Sequence, residues 1–217
     1  MITFEHVTAT YKKNKGIFNV SFDVQKGEMV FIMGPTGAGK STVLKTIYKD
    51  VNVNSGSIIL DNQNISTIKS VKKISELRRK IGMIFQDFKL LNDRTVFDNV
   101  ALPLRIEGYA YKDIVRLVKE SLLKIDMSGT ESLNPLELSG GEQQRICIAR
   151  ALVKNPVIVL ADEPTGNLDP NISDEILDLL ELCTNNGAAV LMSTHNFPLI
   201  KPRNKKFIEL NQGRMVE

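Results

Sequence analysis

The apolar run EMVFIM (28–33) leads straight into GPTGAGKS (34–41), and the helical pattern STVLKTIYK (41–49) follows. A strand that is apolar on both faces must be covered on both sides, as in a layered α/β fold. The eight residues after it match G-x-x-x-x-G-K-[ST] between strand and helix, the setting this motif requires. Gly34, Gly37 and Gly39 let the backbone wrap an anion with its N–H groups pointing inward, helped by Thr36, Ala38 and Thr42. Pro35 has no N–H to offer, and the remaining loop amides suffice. Lys40 brings positive charge to the outer phosphates of a nucleotide, and Ser41 brings a hydroxyl ligand for Mg²⁺. These few residues therefore set both a fold class and a ligand class.

The rest of the chain extends the pattern. FNVSFDV (18–24) alternates, with Phe18, Val20, Phe22 and Val24 expected on one buried face, and the turn-like QKG follows. SIILDNQ (57–63), IGMIF (81–85), VIVLA (157–161) and AAVLMST (188–194) read as further short strands. Between them lie helix-period segments. In YKDIVRLVKESLLKI, Ile114, Leu117, Val118, Leu122 and Ile125 share a face. In ISDEILDLLELC, Ile172, Ile176, Leu179, Leu180 and Cys183 do the same, after Asp169-Pro170 and before Gly187. Strand alternating with helix predicts an α/β core with a mostly parallel sheet and antiparallel N-terminal strands. FIELNQGRMV (207–216) reads as a closing hairpin. The stretch after Gln86 lacks a central strand. It predicts one domain over 1–217, with 1–86 and 152–217 as the core and 87–151 as an inserted helical subdomain.

Composition narrows the function. A net charge of +3 over 217 residues is too small to argue for nucleic acid, and none is expected as a partner. No apolar run reaches the roughly 20 residues of a membrane span. The opening MITFEHVTATY has no signal-peptide core, so a cytosolic location is expected. Cys147 and Cys183 read as reduced core residues. Basic clusters at 12–15, 69–80 and 201–206 could face anionic lipid or an acidic partner, but solvated faces are the plainer reading.

Two further features carry chemistry. VIVLA runs into Asp162-Glu163, a buried strand ending in carboxylates at the sheet edge where ligands of such folds bind. Asp162 suits a Mg²⁺ partner, and Glu163 suits a base that activates water. His195 follows the last sheet-like run; a lone histidine there is more often structural than catalytic. Ser139-Gly140-Gly141-Glu142 has the form of a capping box before a helix. Its two glycines cost helix stability, which is explained if a phosphate must come close. One loop already wraps the nucleotide, so a second grip a hundred residues away suits a nucleotide held by another copy of the chain.

LSGGEQQR (138–145) resembles the signature motif of ABC-type ATPases. With GPTGAGKS, ADE (161–163), PTGNLD (164–169) and the histidine after the last strand, the family's motifs appear in the family's order. The resemblance implies a head-to-tail homodimer sandwiching two ATP molecules. Tyr11 would stack on adenine, and Gln86 would sense Mg²⁺ and the γ-phosphate. Glu163 would be the catalytic carboxylate and His195 the switch histidine. Ser139, Gly140, Gly141, Glu142 and Asp169 would reach the partner's nucleotide or the partner itself. Asn196 stands where aspartate is common, and Thr36 where serine is usual.

One set of motifs and no coiled-coil arm implies a stand-alone subunit acting on a membrane protein. LRRKIGMIFQDFKLLNDRTVFDNVALPLRIEG (77–108) resembles the FtsE branch of cell-division ATPases. That branch pairs with the permease-like membrane protein FtsX to regulate cell-wall hydrolases at the division site, on the cytoplasmic face of the inner membrane. The FtsX-like partner would dock near Phe85–Val100. Lipoprotein-release and drug-export ATPases are the alternative; they more usually carry proline and Leu-Thr where this chain has Asn92-Asp93-Arg94-Thr95.

Overall fold

The computed structural model describes residues 1–12, 15–166 and 168–216. Lys13 and Asn14 of the first basic cluster and Asn167 of the PTGNLD run lie outside the described residues.

Two sheets share the core. The first is antiparallel, in the order β2-β1-β4-β5, formed by β1 (Ile2–Lys12), β2 (Lys15–Val24), β4 (Ser55–Leu60) and β5 (Gln63–Asn64). The second contains β3 (Met29–Met33), β6 (Ile81–Ile84), β7 (Ile158–Asp162), β8 (Ala189–Thr194), β9 (Lys206–Asn211) and β10 (Arg214–Met215). Its order is β10-β9-β3-β8-β7-β6, parallel except for the β9–β10 hairpin. β3, β7 and β8 are the central strands and are buried along nearly their whole length, which is why they read as unbroken apolar runs.

One sequence expectation is corrected in β2. Ile17, Val20, Phe22 and Val24 are buried, but Phe18 is not on their face. The alternation slips at Asn19, whose φ is 54°, and the register with β1 shifts between Val7 and Ala9. An irregularity of one residue reverses the facing of everything beyond it. Phe18 is thereby turned toward the edge of the parallel sheet.

The helices follow their predicted faces. α1 (Lys40–Ile47) packs Val43, Leu44 and Ile47 between the sheets. α6 (Pro170–Asn185) starts at Asp169, whose carboxylate accepts from the N–H groups of Asn171 and Ile172. α2 (Val71–Arg79) carries much of the central basic cluster; Leu77 is its one buried residue, while Lys72, Lys73 and Arg79 face solvent.

Residues 96–153 form a helical layer of α3 (Val96–Ile106), α4 (Tyr111–Lys124) and α5 (Gly140–Leu152). It has its own apolar cluster, including Val100, Leu104, Ile114, Val118, Leu122 and Ile146. The fully buried Asn99 fastens the segment before α3: it donates to the carbonyls of Leu91 and Thr95 and accepts from the Leu91 N–H. Cys147 and Cys183 are free thiols in the interior, pushed up to about 12 and about 11 by burial. A short α7 (Phe197–Ile200) follows β8.

Candidate active site

The loop between β3 and α1 is built from tight backbone approaches. At Gly34, φ is 143° and a Cβ would stand 2.1 Å from the Leu210 carbonyl oxygen. No other residue type fits there. Gly39 begins α1 in a left-handed conformation with φ 105°. The hairpin turn at Gly213 clamps the loop, donating its N–H to the Ala38 carbonyl, while its own carbonyl accepts from the Phe18 N–H. The antiparallel sheet, the loop and the closing hairpin are thus joined by two backbone bonds.

Lys40 is only 4 % exposed. Its ammonium donates to the carbonyls of Gly34 at 2.8 Å and Pro35 at 3.2 Å, and lies 3.1 Å from Glu163 Oε1. The other Glu163 oxygen lies 3.0 Å from Nδ1 of His195. Lys40, Glu163 and His195 therefore form one chain of polar contacts across the ends of β3, β7 and β8. Glu163 takes a left-handed φ of 45°, held by bonds from its N–H to the carbonyl and hydroxyl of Ser193. Such a conformation costs a non-glycine residue about 1–2 kcal/mol. Here it swings the carboxylate off the strand axis toward Lys40.

Asp162 stands behind this chain, 8 % exposed. Its Oδ1 accepts from Ser41 Oγ at 2.9 Å and from Ser193 Oγ at 2.6 Å. Ser193 is missing from the sequence reading. Its signal was a hydroxyl inside an apolar strand, but its role follows only from the pairing of Asp162 with Ser193 across β7 and β8.

A cleft of about 970 Å³ opens over these groups. Thr36, Gly37, Gly39, Lys40, Ser41 and Thr42 form its floor, with Tyr11, Gln86 and Glu163 on the walls. Gly34, Pro35 and Ala38 shape the loop from outside the cleft, Asp162 sits beneath it, and His195 lies on the far side of Glu163. Phe18, Lys45 and Gln212 also line the cleft, unanticipated. Phe18 carries the Arg214 guanidinium 5.6 Å above its ring. The cavity offers an aromatic wall at one end and a cationic, amide-rich cradle at the other, which suits a nucleoside polyphosphate.

Ser139, Gly140, Gly141, Glu142 and Asp169 do not line this cleft. Ser139 caps α5, with the Glu142 carboxylate accepting from its N–H at 2.8 Å and its hydroxyl at 2.6 Å. Those two bonds hold the Glu142 carboxyl below the usual carboxylate range. The glycines differ in cause. A Cβ on Gly141 would crowd the Ile172 side chain at 3.0 Å, so packing also favours glycine there, whereas one on Gly140 would have only Leu168 at 3.8 Å. Ser139 and Gly140 are exposed. Asn196 caps α7, accepting from the Leu199 N–H; a neutral side chain suffices for that.

A match to the ABC transporter family spans residues 17–166. The cell division ATP-binding protein FtsE of Escherichia coli K12 is 46 % identical over 99 % of this chain and 97 % of its own length. FtsE of Mycobacterium tuberculosis is 42 % identical over 100 % and 94 %. Among solved structures, a dimeric bacterial ABC transporter cassette superposes with a TM-score of 0.89 at 35 % identity, covering 100 % of this chain and 97 % of that one. The same cassette in a dimeric post-hydrolysis state bound to ADP and Pi also gives 0.89, at 34 % identity. A nucleotide-shaped cleft, a full set of motifs and full-length relatives agree: the chain belongs to the ABC transporter family of ATPases, and within it to the FtsE cell division ATP-binding proteins.

Proposed function

We propose that the chain is the ATP-hydrolysing subunit of a membrane complex of the FtsE–FtsX kind, whose ATP cycle controls cell-wall hydrolysis during division. The observation that carries the chemistry is the contact of Lys40 with Glu163 at the floor of the cleft. The loop amides of residues 36–42 hold the phosphates, Tyr11 stacks on the base, and Lys40 moves from its resting partners to the outer phosphates. That move frees the Glu163 carboxylate to accept a proton from the attacking water, with His195 fixing its orientation. Gln86 orients the γ-phosphate end of the cleft.

Ser41 and Asp162 fit a Mg²⁺ ion. They offer two hard oxygens 2.9 Å apart, and no cluster of three or more His, Cys, Asp or Glu gathers among the described residues. Mg²⁺ commonly takes one or two protein oxygens and completes its shell with phosphate and water. When bound it would neutralise charge developing on the phosphates.

Dimeric relatives support a head-to-tail homodimer in which the exposed Ser139 and Gly140 hold the partner's nucleotide, with Gly141, Glu142 and Asp169 behind them. Residues 87–151 then act as the moving helical subdomain against a core of 1–86 and 152–217. No described helix is long and apolar enough to cross a membrane; in this reading the partner supplies the membrane part. A groove of about 400 Å³ beside Phe85 is the proposed seat for a short helix of an FtsX-like protein on the cytoplasmic face. Phe85, Pro103 and Ile106 supply an apolar floor; Arg78, Arg79, Lys89, Arg150 and Lys154 surround it, with Arg78, Lys89 and Lys154 paired to Asp50, Asp87 and Glu107. Among the described residues the Arg150 guanidinium donates to the carbonyls of Phe88 and Lys89 and meets no carboxylate, so the incoming helix is expected to carry carboxylates.

The test combines Glu163→Gln with a photo-crosslinking residue at the exposed Ile106, in membranes supplied with ATP. Crosslinking to a permease-like protein at the division site supports the reading. Crosslinking to a lipoprotein- or drug-handling subunit keeps the ATPase chemistry and moves the function to transport.

A further inference from the structure

Gln144 is fully buried on α5, and neither its amide oxygen nor its amide nitrogen has a hydrogen-bond partner among the described residues. Its neighbours differ. Gln143 donates to the Leu138 carbonyl at 3.0 Å, and Arg145 donates to the Ile125 carbonyl and pairs with Glu175. Folded chains satisfy nearly all such groups, because a dry amide costs stability.

Helix geometry places Gln144 on a face with Gly140 and Gly141 on one side and Cys147 and Ile148 on the other. Gly140 and Gly141 face Leu168 and Ile172. The Cys147 thiol donates to the Phe88 carbonyl at 3.1 Å. The unpaired amide therefore belongs to the helix face bounded by the start of α6 and by the loop that runs from Gln86. That loop holds Phe88 and Lys89 at successive φ values of 59° and 53°. A left-handed aromatic residue is uncommon, and two such residues in a row mark stored strain. The unpaired amide thus lies one helical turn from Cys147, which with Arg150 holds the Phe88 and Lys89 carbonyls of the strained loop.

We propose that Gln144 is a positioning residue: its amide pairs with peptide groups of the 86–89 loop when that loop shifts with Gln86 in the ATP-bound dimer. The resting arrangement is disfavoured by the orphaned amide, and the closed arrangement is favoured by its pairing. The signature helix and the loop from Gln86 then move as one element with two states. This rests on reading the chain as an ATP-driven dimer.

The experiment uses the full chain with Gln144→Met, and Gln144→Leu as a second apolar variant should Met fold poorly. Three quantities are read: nucleotide-free melting temperature, ATP-dependent dimerisation in a Glu163→Gln background, and kcat against KM. The expected result is a melting temperature raised by about 2–5 °C. Dimerisation and kcat should fall about tenfold while KM stays near wild type. A residue that merely supports the fold would lower the melting temperature instead. A lowered value means the amide is already paired at rest, by water or protein, and overturns the proposal. A raised value with unchanged dimerisation and kcat also overturns it, since no partner is then gained. If the Glu163→Gln chain with Gln144 intact fails to dimerise with ATP, the dimer reading falls and this inference with it.

Discussion

The Lys40 ammonium lies 3.1 Å from Glu163 Oε1, so the cation that would meet the phosphates is held by the carboxylate that would activate water. Each group keeps the other neutralised in a site where Lys40 is nearly inaccessible. Arrival of phosphate exchanges one anion for another at Lys40 and leaves Glu163 uncompensated, ready to accept a proton. Glu163→Gln should cut hydrolysis by about 10²–10⁴-fold. It should also tighten ATP binding, because Lys40 no longer has a competing carboxylate. Phosphate release and fluorescent-nucleotide titration measure the two; full turnover in the variant would remove Glu163 from its role.

Ser139→Arg should leave ATP binding by one subunit intact and abolish the ATP-dependent dimer, read by light scattering. Ser139→Ala is the control, because it removes the α5 cap at a cost of about 0.5–2 kcal/mol without adding bulk. If the Arg variant still dimerises, Ser139 does not meet a partner's nucleotide.

Phe18 and Phe22 should separate stability from binding. Phe22→Ala empties part of the core, where it stacks on Phe4 with centroids 4.4 Å apart, and should cost about 3–5 kcal/mol in chemical denaturation. Phe18→Ala should cost much less and instead weaken nucleotide affinity. Equal destabilisation with unchanged affinity would return Phe18 to the core.

Acid should loosen the signature segment before it unfolds the chain. The Glu142 carboxyl is held low by the Ser139 hydroxyl and N–H. A depressed folded-state pKa means that its contribution is present above the ordinary carboxylate value and is lost as pH falls through the depressed one. Amide exchange at Ser139 and Glu142 should therefore quicken in that acidic window, and Glu142→Gln should remove the pH dependence. A flat profile in the wild type would contradict the capping geometry.

What could be read from residues alone was local. GPTGAGKS between a buried strand and a helix, Asp162-Glu163 at a strand end, and the Ser139–Glu142 box each place their chemistry within a few residues of backbone. What escaped depended on distance. Phe18 was misplaced because Asn19 slips the strand by one residue, a departure that alternation cannot register. Ser193 gains meaning only from lying beside Asp162 on a neighbouring strand. Gly141 read as room for a phosphate; that a Cβ there would also crowd Ile172, thirty-one positions away, is visible only in the fold.

The cleft draws its walls from both sheets: Tyr11 and Phe18 come from the antiparallel one, and the loop and Glu163 from the ends of the parallel one. A nucleotide seated there is a rivet through the two halves of the core. Ligand that binds only the native chain stabilises it by about 2.7 kcal/mol at a hundredfold excess over Kd. A chain with its cleft filled would then resist proteases longer than an empty one, whichever nucleotide fills it.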